Sequence, residues 1–152
     1  MKLSTKGRYG LRALIDLAMY SEEEAVSISS IAARQGISES YLEQLVRKLR
    51  KADLVVSSRG AQGGYRLARP AAEISVGDIL RALEGNLEAV ECPGLKEEQG
   101  CEGADFCVTK YVWQKINDSI TQAVDEIRLD QLVKESRETL DKRNHTTIKC
   151  EN

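Results

Sequence analysis

The stretch Ile28-Ser-Ser-Ile-Ala-Ala-Arg-Gln-Gly-Ile-Ser-Glu-Ser-Tyr-Leu-Glu-Gln-Leu-Val-Arg-Lys-Leu-Arg-Lys51 decides the fold. Ile28, Ile31 and Ala32 recur at helical spacing up to Gln35, Gly36 and Ile37 make a tight corner, and a second helix opens behind Ser38 as its N-cap. Gly36 suits that corner because it takes positive φ without a Cβ penalty. In the second helix Leu42, Leu45, Val46 and Leu49 share the inward face. Ser40, Glu43, Gln44, Arg47 and Lys51 then point outward. Serine and glutamine donate and accept at base edges, glutamate accepts from cytosine N4, and arginine clamps guanine or a phosphate, all from a helix narrow enough for the major groove. The same pattern also describes an ordinary two-helix packing unit with a polar surface.

The residues that follow favour the nucleic-acid reading. Leu54-Val55-Val56 and Tyr65-Arg66-Leu67 are short strand candidates that bracket Ser57-Ser58-Arg59-Gly60-Ala61-Gln62-Gly63-Gly64. That is the layout of a wing, with Arg59 at the tip and glycines that let the backbone approach a phosphate or enter a minor groove. A nucleotide-binding glycine loop is the alternative, but no Gly-Lys-Ser/Thr closes it and no strand-to-helix passage follows.

Charge points the same way. The chain of 152 residues carries a formal net charge of -2, yet residues 1–75 hold 12 Lys/Arg against 8 Asp/Glu while residues 76–152 hold 10 against 16. A basic front half is what a phosphate-facing module needs. Its surplus is densest from Arg47 to Arg69, where Arg47, Lys48, Arg50, Lys51, Arg59, Arg66 and Arg69 face only Asp53. At 41% apolar content the chain can bury a real core. Its start lacks the apolar run of a signal peptide, and no run of about 18 apolar residues suits a bilayer. A cytoplasmic protein without a membrane partner is expected.

Around the reader, a first helix is predicted from Ser4 or Thr5 to Tyr20, with Leu11, Leu14, Ile15 and Ala18 on one face, and Glu22-Glu23-Glu24 marks an exposed loop after it. Ser75 is predicted to cap a short helix through Leu83, with Asp78 in a capping-box position and Gly85 as its stop. From Asp105 to Ile127, Trp113, Ile116, Ile120, Ala123 and Ile127 alternate spacings of three and four, which predicts a helix about 35 Å long with a coiled-coil-like seam. Such a stripe is best buried against a copy of itself, because helix-turn-helix readers commonly pair on palindromic half-sites. Folding back onto its own domain is the alternative. A last amphipathic helix uses Leu132, Val133 and Leu140, and beyond Lys142 the chain turns polar.

Between these parts lie Cys92, Cys101 and Cys107, with Pro93, Gly94, Gly100 and Gly103 among them. In a reducing compartment clustered thiols argue for metal or redox chemistry rather than a disulfide framework. Thiolates are soft ligands that suit iron–sulfur clusters, copper(I) or zinc. Structural zinc usually shows paired Cys-x-x-Cys knuckles, and three thiolates leave it one ligand short. A disulfide switch is the third option, and spacing does not separate the three. Cys107 is placed at the opening of the long helix, where the dipole favours a thiolate. An enzyme or small electron carrier built around the thiols is a further class, but the segment offers no acid–base pair beside the cysteines and no cofactor loop.

As a whole the chain resembles the Rrf-type family of bacterial winged-helix regulators, in its opening Met-Lys-Leu-Ser-Thr-Lys-Gly-Arg-Tyr-Gly-Leu-Arg-Ala, its Gln-Gly-Ile-Ser-Glu-Ser-Tyr-Leu-Glu-Gln-Leu, its Leu-Arg-Lys-Ala-Asp-Leu-Val and its Arg-Gly-Ala-Gln-Gly-Gly-Tyr. The resemblance runs from Met1 to about Leu140, and the cysteine trio looks like that of the family's iron–sulfur cluster regulators. It implies a mainly α fold with a small β-hairpin: a winged helix-turn-helix DNA-binding domain at 1–84, a cluster-binding loop at 85–104, a dimerisation helix and C-terminal helix at 105–140 and a mobile tail at 141–152. It also implies a homodimeric transcription factor that holds a 2Fe-2S cluster through Cys92, Cys101 and Cys107, binds a palindromic double-stranded operator and controls cluster-assembly genes. DNA contacts carry over to Ser38, Ser40, Tyr41, Glu43, Gln44 and Arg47, and to Arg59 and Gly60 of the wing. A thiol-redox or cysteine-metabolism repressor on the same DNA module is the alternative. One position departs from the pattern. The cluster regulators have a histidine three residues after the third cysteine, where this chain has Lys110. Imidazole ligates near its ordinary pKa of about 6.5, whereas an ammonium must first lose a proton held to about 10.4. The fourth ligand is left open among Lys110, His145, Cys150 or another group. Arg8 and Arg12 of the first helix supply no acidic ligand of the kind used by nitric-oxide-sensing relatives.

Overall fold

The computed structural model describes residues 2–61 and 63–150, with 145–150 described by backbone alone. Helix α1 (Thr5–Tyr20) starts where the Ser4 hydroxyl accepts from Lys6 N, and it turns Ala13, Leu14, Leu17 and Ala18 inward. Helix α2 (Ile28–Gln35) is capped by Ser27 and closed by Gly36 at φ 66°. Helix α3 (Glu39–Lys51) starts at Ser38, which accepts from Tyr41 N at 3.2 Å, and buries Leu42, Leu45, Val46 and Leu49. The inward face and corner predicted from the sequence are both present.

The exit from α3 is a Schellman turn. Leu54 N donates to Leu49 O at 3.0 Å and Asp53 N to Arg50 O at 3.1 Å, with Asp53 itself at φ 56°. Asp is among the few residues besides glycine that tolerate this conformation, and the buried pair Leu49 and Leu54 supplies the usual apolar contact. The turn launches β1 (Val55–Ser58), which pairs antiparallel with β2 (Gly64–Leu67) in the register Val55↔Leu67 to Ser58↔Gly64. Two hydrogen bonds between Val26 and Tyr65, at 2.8 and 2.9 Å, pin the hairpin base to the segment before α2.

Helix α4 (Val76–Glu84) carries the predicted capping box between Ser75 and Asp78 and ends at Gly85, φ 84°. It crosses α1 closely because Gly10 leaves room for Leu83, whose side chain a Cβ there would overlap. Helix α5 (Thr109–Glu126) is shorter than the sequence pattern suggested. Its 18 residues span about 27 Å, because Phe106 is 90% exposed in a turn ahead of the helix. One side of α5 packs Ile120 and Val124 onto α4 through Val76 and Leu80. Ile116, Ala123 and Ile127 stay exposed, so an apolar stripe is open.

Helix α6 (Leu129–Cys150) returns to the reader. Leu129 is 0% exposed and, with Val133, joins the same core as Leu14, Ile31, Leu42 and Leu45. The α5–α6 corner is stitched to the start of α4 by Val76 N to Ile127 O and Leu129 N to Ile74 O, each 2.8 Å. The core beneath α1–α3 is therefore completed from residues far along the chain. Among the described residues no helix is long and apolar enough to cross a membrane.

Candidate nucleic-acid interface and cysteine centre

Because the buried face of α3 is fully committed to the core, its opposite face is left to solvent. Ser38, Ser40, Glu43, Gln44 and Arg47 are all exposed there. Tyr41 is placed differently: it is half-buried, its hydroxyl donates to Thr5 Oγ1 at 3.2 Å, and its ring meets Tyr9 edge-on at 6.2 Å. It fixes the start of α3 against α1. Ser38 spends its acceptor on the helix cap but keeps its O–H.

The basic residues divide into two groups. Arg66 donates to Glu23 O at 3.0 Å, Arg69 to Glu73 O at 3.5 Å and Lys48 to Leu83 O at 3.4 Å, so these three tie the fold together. Among the described residues, no side-chain hydrogen bond or ion pair engages Arg47, Arg50, Lys51 or Arg59. Arg47, Arg50 and Lys51 line one cleft of about 530 Å³ with Glu43, Val46 and Tyr65, between the outward face of α3 and the wing. An unpaired cation beside a cleft is what phosphate neutralisation requires. Lys51 is on the outward face read from the sequence, whereas Arg50 and Tyr65 are candidates that the residue-by-residue reading did not single out. The signal for Arg50 was the charge density itself, which does not say which cations are already occupied, and Tyr65 read only as a strand residue. At the wing tip Arg59 and Gly60 are exposed, and Gly60 has φ 120°, a conformation open to little but glycine.

The cysteine segment runs over the flank of α5. Leu87 is buried against α4, and Asn117 of α5 holds the next turn: its Oδ1 accepts from Ala89 N at 2.9 Å and its Nδ2 donates to Val90 O at 3.1 Å. Asn117 was not singled out from sequence, where a polar residue on a helix reads as solvated surface. A short turn over Pro93–Leu95 then folds Cys92 and Cys101 to the same place. A Cβ on Gly94 would stand 3.6 Å from Cys92 Sγ and 3.8 Å from Cys101 Cβ. Cys107 lies just ahead of α5, outside the helix itself, with its sulfur 3.1 Å from Thr109 Oγ1. The Thr109 hydroxyl holds that thiol below the usual value of 9.0, helped by the backbone N–H groups of Lys110 and Thr109 and by the Lys110 charge. Lys110 places its Nζ 5.2 Å from the Tyr111 ring centroid.

All three cysteines are free and at least partly accessible. As donors they fit an iron–sulfur cluster: soft thiols on a loop shaped by glycines, one already biased toward the thiolate. Among the described residues no three Cys, His, Asp or Glu side chains stand close enough to share a single metal ion. A two-iron cluster makes a different demand, since its ligands divide between two irons. The side chains of His145 and Cys150 lie outside the described residues.

A capped reading helix, a β-hairpin wing and a row of unpaired cations between them define a winged helix-turn-helix transcription regulator. The Rrf2 family, described as "Iron-dependent Transcriptional regulator", matches residues 3–135, and the chain belongs to that family. The HTH-type transcriptional regulator IscR of Pectobacterium carotovorum subsp. carotovorum (strain PC1) is 45% identical over 141 residues, covering 93% of this chain and 84% of that protein. Among solved structures, T. potens IscR aligns with a TM-score of 0.72 at 49% identity, over 91% of this chain and 90% of that one. CymR, the global cysteine regulator of B. subtilis, aligns at 0.73 with 42% identity, over 89% and 98%. One fold therefore serves regulators with different names. The thiol segment has to decide between them.

Proposed function

We propose that this protein is a cytoplasmic DNA-binding regulator that senses iron–sulfur cluster status through a 2Fe-2S cluster held by Cys92, Cys101 and Cys107, and controls cluster-assembly genes. The carrying observation is a loop of three free thiols fastened by Asn117 to a helix whose far side is an unpartnered apolar stripe. On this reading two copies pair along the Ile116, Ala123 and Ile127 stripe and set two α3 helices on a palindromic operator. Ser40, Glu43, Gln44 and Arg47 read base edges, Arg50 and Lys51 neutralise phosphates, and Arg59 with Gly60 enters the adjacent groove. Ser38 and Tyr41 fix the start of the reading helix, with the Ser38 hydroxyl free to reach a phosphate. When bound, the cluster supplies a redox-sensitive bridge between loop and helix. Lys110, leaning on Tyr111, serves as counter-charge to it rather than as its fourth ligand.

Protein purified without oxygen is expected to contain iron and sulfide. Arg59→Ala weakens operator binding in both cluster states, by roughly tenfold if it costs about 1.4 kcal/mol. Cys101→Ala keeps residual binding and loses all cluster dependence, and Lys110→Ala keeps the absorption spectrum of the parent. Absence of iron and sulfide from the parent protein sinks the proposal. The second reading, a thiol-redox or cysteine-metabolism repressor, draws on the approach of Cys92 and Cys101 to Gly94 and on the likeness to CymR. It gains if intact-mass measurement after mild oxidation shows a disulfide that changes DNA affinity in metal-free protein.

A further inference from the structure

The three thiols are not equivalent. Cys107 alone has a neighbouring side-chain hydroxyl within hydrogen-bond distance among the described residues, at 3.1 Å. The hydroxyl belongs to Thr109, the first residue of α5, so its backbone is set by the helix. Its β-branched side chain has few rotamers, which limits the positions open to the hydroxyl. In the free thiol either atom can donate, but a cysteine that ligates as a thiolate has no proton left, so the Thr109 O–H must be the donor. A hydrogen bond to a ligating sulfur stabilises the more negative, reduced state more than the oxidised one, and so raises the potential.

We infer that Thr109 is a positioning residue for the cysteine centre, its hydroxyl donating to the Cys107 thiolate and holding up the one-electron reduction potential of the bound cluster. This rests on the 2Fe-2S reading above. The exposed position of Thr109 means that valine changes the hydrogen bond and little packing, while serine restores the hydroxyl. The test compares parent, Thr109→Val and Thr109→Ser proteins, reconstituted anaerobically and titrated with dithionite and mediator dyes. Thr109→Val is expected at a more negative potential than the parent and Thr109→Ser close to it, with metal-free melting temperatures unchanged in all three. Equal potentials for parent and Thr109→Val, both fully loaded, overturn the role of Thr109 and leave the cluster reading standing. A parent that takes up no iron and sulfide removes both. If Thr109→Val does not load, a Thr109→Ser protein that loads at the parent's potential supports the hydroxyl's role, and equal failure of both variants overturns it.

Discussion

The reading segment, residues 28–69, and the thiol segment, residues 85–108, are held by different physics. In the first, side chains or left-handed residues close both ends of both helices, and Ile31, Leu42, Leu45, Leu49, Leu54 and Val55 are at most 1% exposed. In the second, Leu87 is the one buried apolar side chain among the described residues of the segment, and Asn117 supplies the main polar anchor. The reader is shaped by its own burial. The thiol segment is shaped by a neighbouring helix, and its low local stability lets a small energy move it, as the proposed sensing role requires.

Three measurements break or sharpen this contrast. Leu45→Ala should cost the folded chain about 2–5 kcal/mol in urea denaturation, through lost burial and the cavity left behind, and abolish operator binding. A loss below about 1 kcal/mol would mean that the reader is not the rigid half. Asn117→Ala should act in the other region. With hydrogen bonds worth about 0.5–1.5 kcal/mol each, it should raise hydrogen exchange across 85–95 while the α3 amides keep their protection. Uniform change in both regions would erase the distinction. The smallest effect concerns the helix that leads into the thiol segment. Glu84, the last residue of α4, accepts at Oε1 from Ser4 Oγ at 2.6 Å, Ser4 N at 2.8 Å and Gly7 N at 2.9 Å. The Ser4 hydroxyl, with the Gly7 and Ser4 amides, holds the Glu84 carboxyl below its usual 4.5. A carboxylate with a lowered folded-state pKa stabilises the fold above its ordinary value, and that contribution fades as pH falls below it. Urea midpoints between about pH 5 and 3 should therefore fall less steeply in Glu84→Gln than in the parent; identical slopes would discard the clamp.

How much of this was legible in the sequence follows from how local each cause is. Ser4, Ser38, Ser75 and Gly36 announced their helix ends because capping acts within four residues, and the inward faces of α1 and α3 follow from spacing alone. The start of α5 was misplaced because Phe106 continues the apolar rhythm ahead of Trp113, yet its N–H closes a turn onto Gly103 O at 3.1 Å. Asp53 gave no sign of its positive φ, since glycine is the usual marker of a Schellman exit. In the candidate site the cysteines were legible as candidate ligands by type, and Arg47, Lys51 and Arg59 as outward cations. That Lys48 and Arg66 are tied to backbone carbonyls was hidden, because each partner is set by tertiary packing. So was the hydrogen bond from Thr109 to Cys107, which depends on where the helix begins.

Leu129 carries a consequence for how the protein is made. Its side chain lies wholly inside the reader's core, and its amide is bonded to Ile74 O across more than fifty residues of chain. Synthesis proceeds from the N-terminus at roughly 5–20 residues per second, and a core of this kind cannot close before its last contributor leaves the ribosome. The nascent chain therefore exposes all three thiols before the reader is complete. On the cluster-sensing reading proposed above, a newly made molecule meets its metal supply before it has a finished surface for DNA, and the first state it reports is that of the cell in which it was just translated.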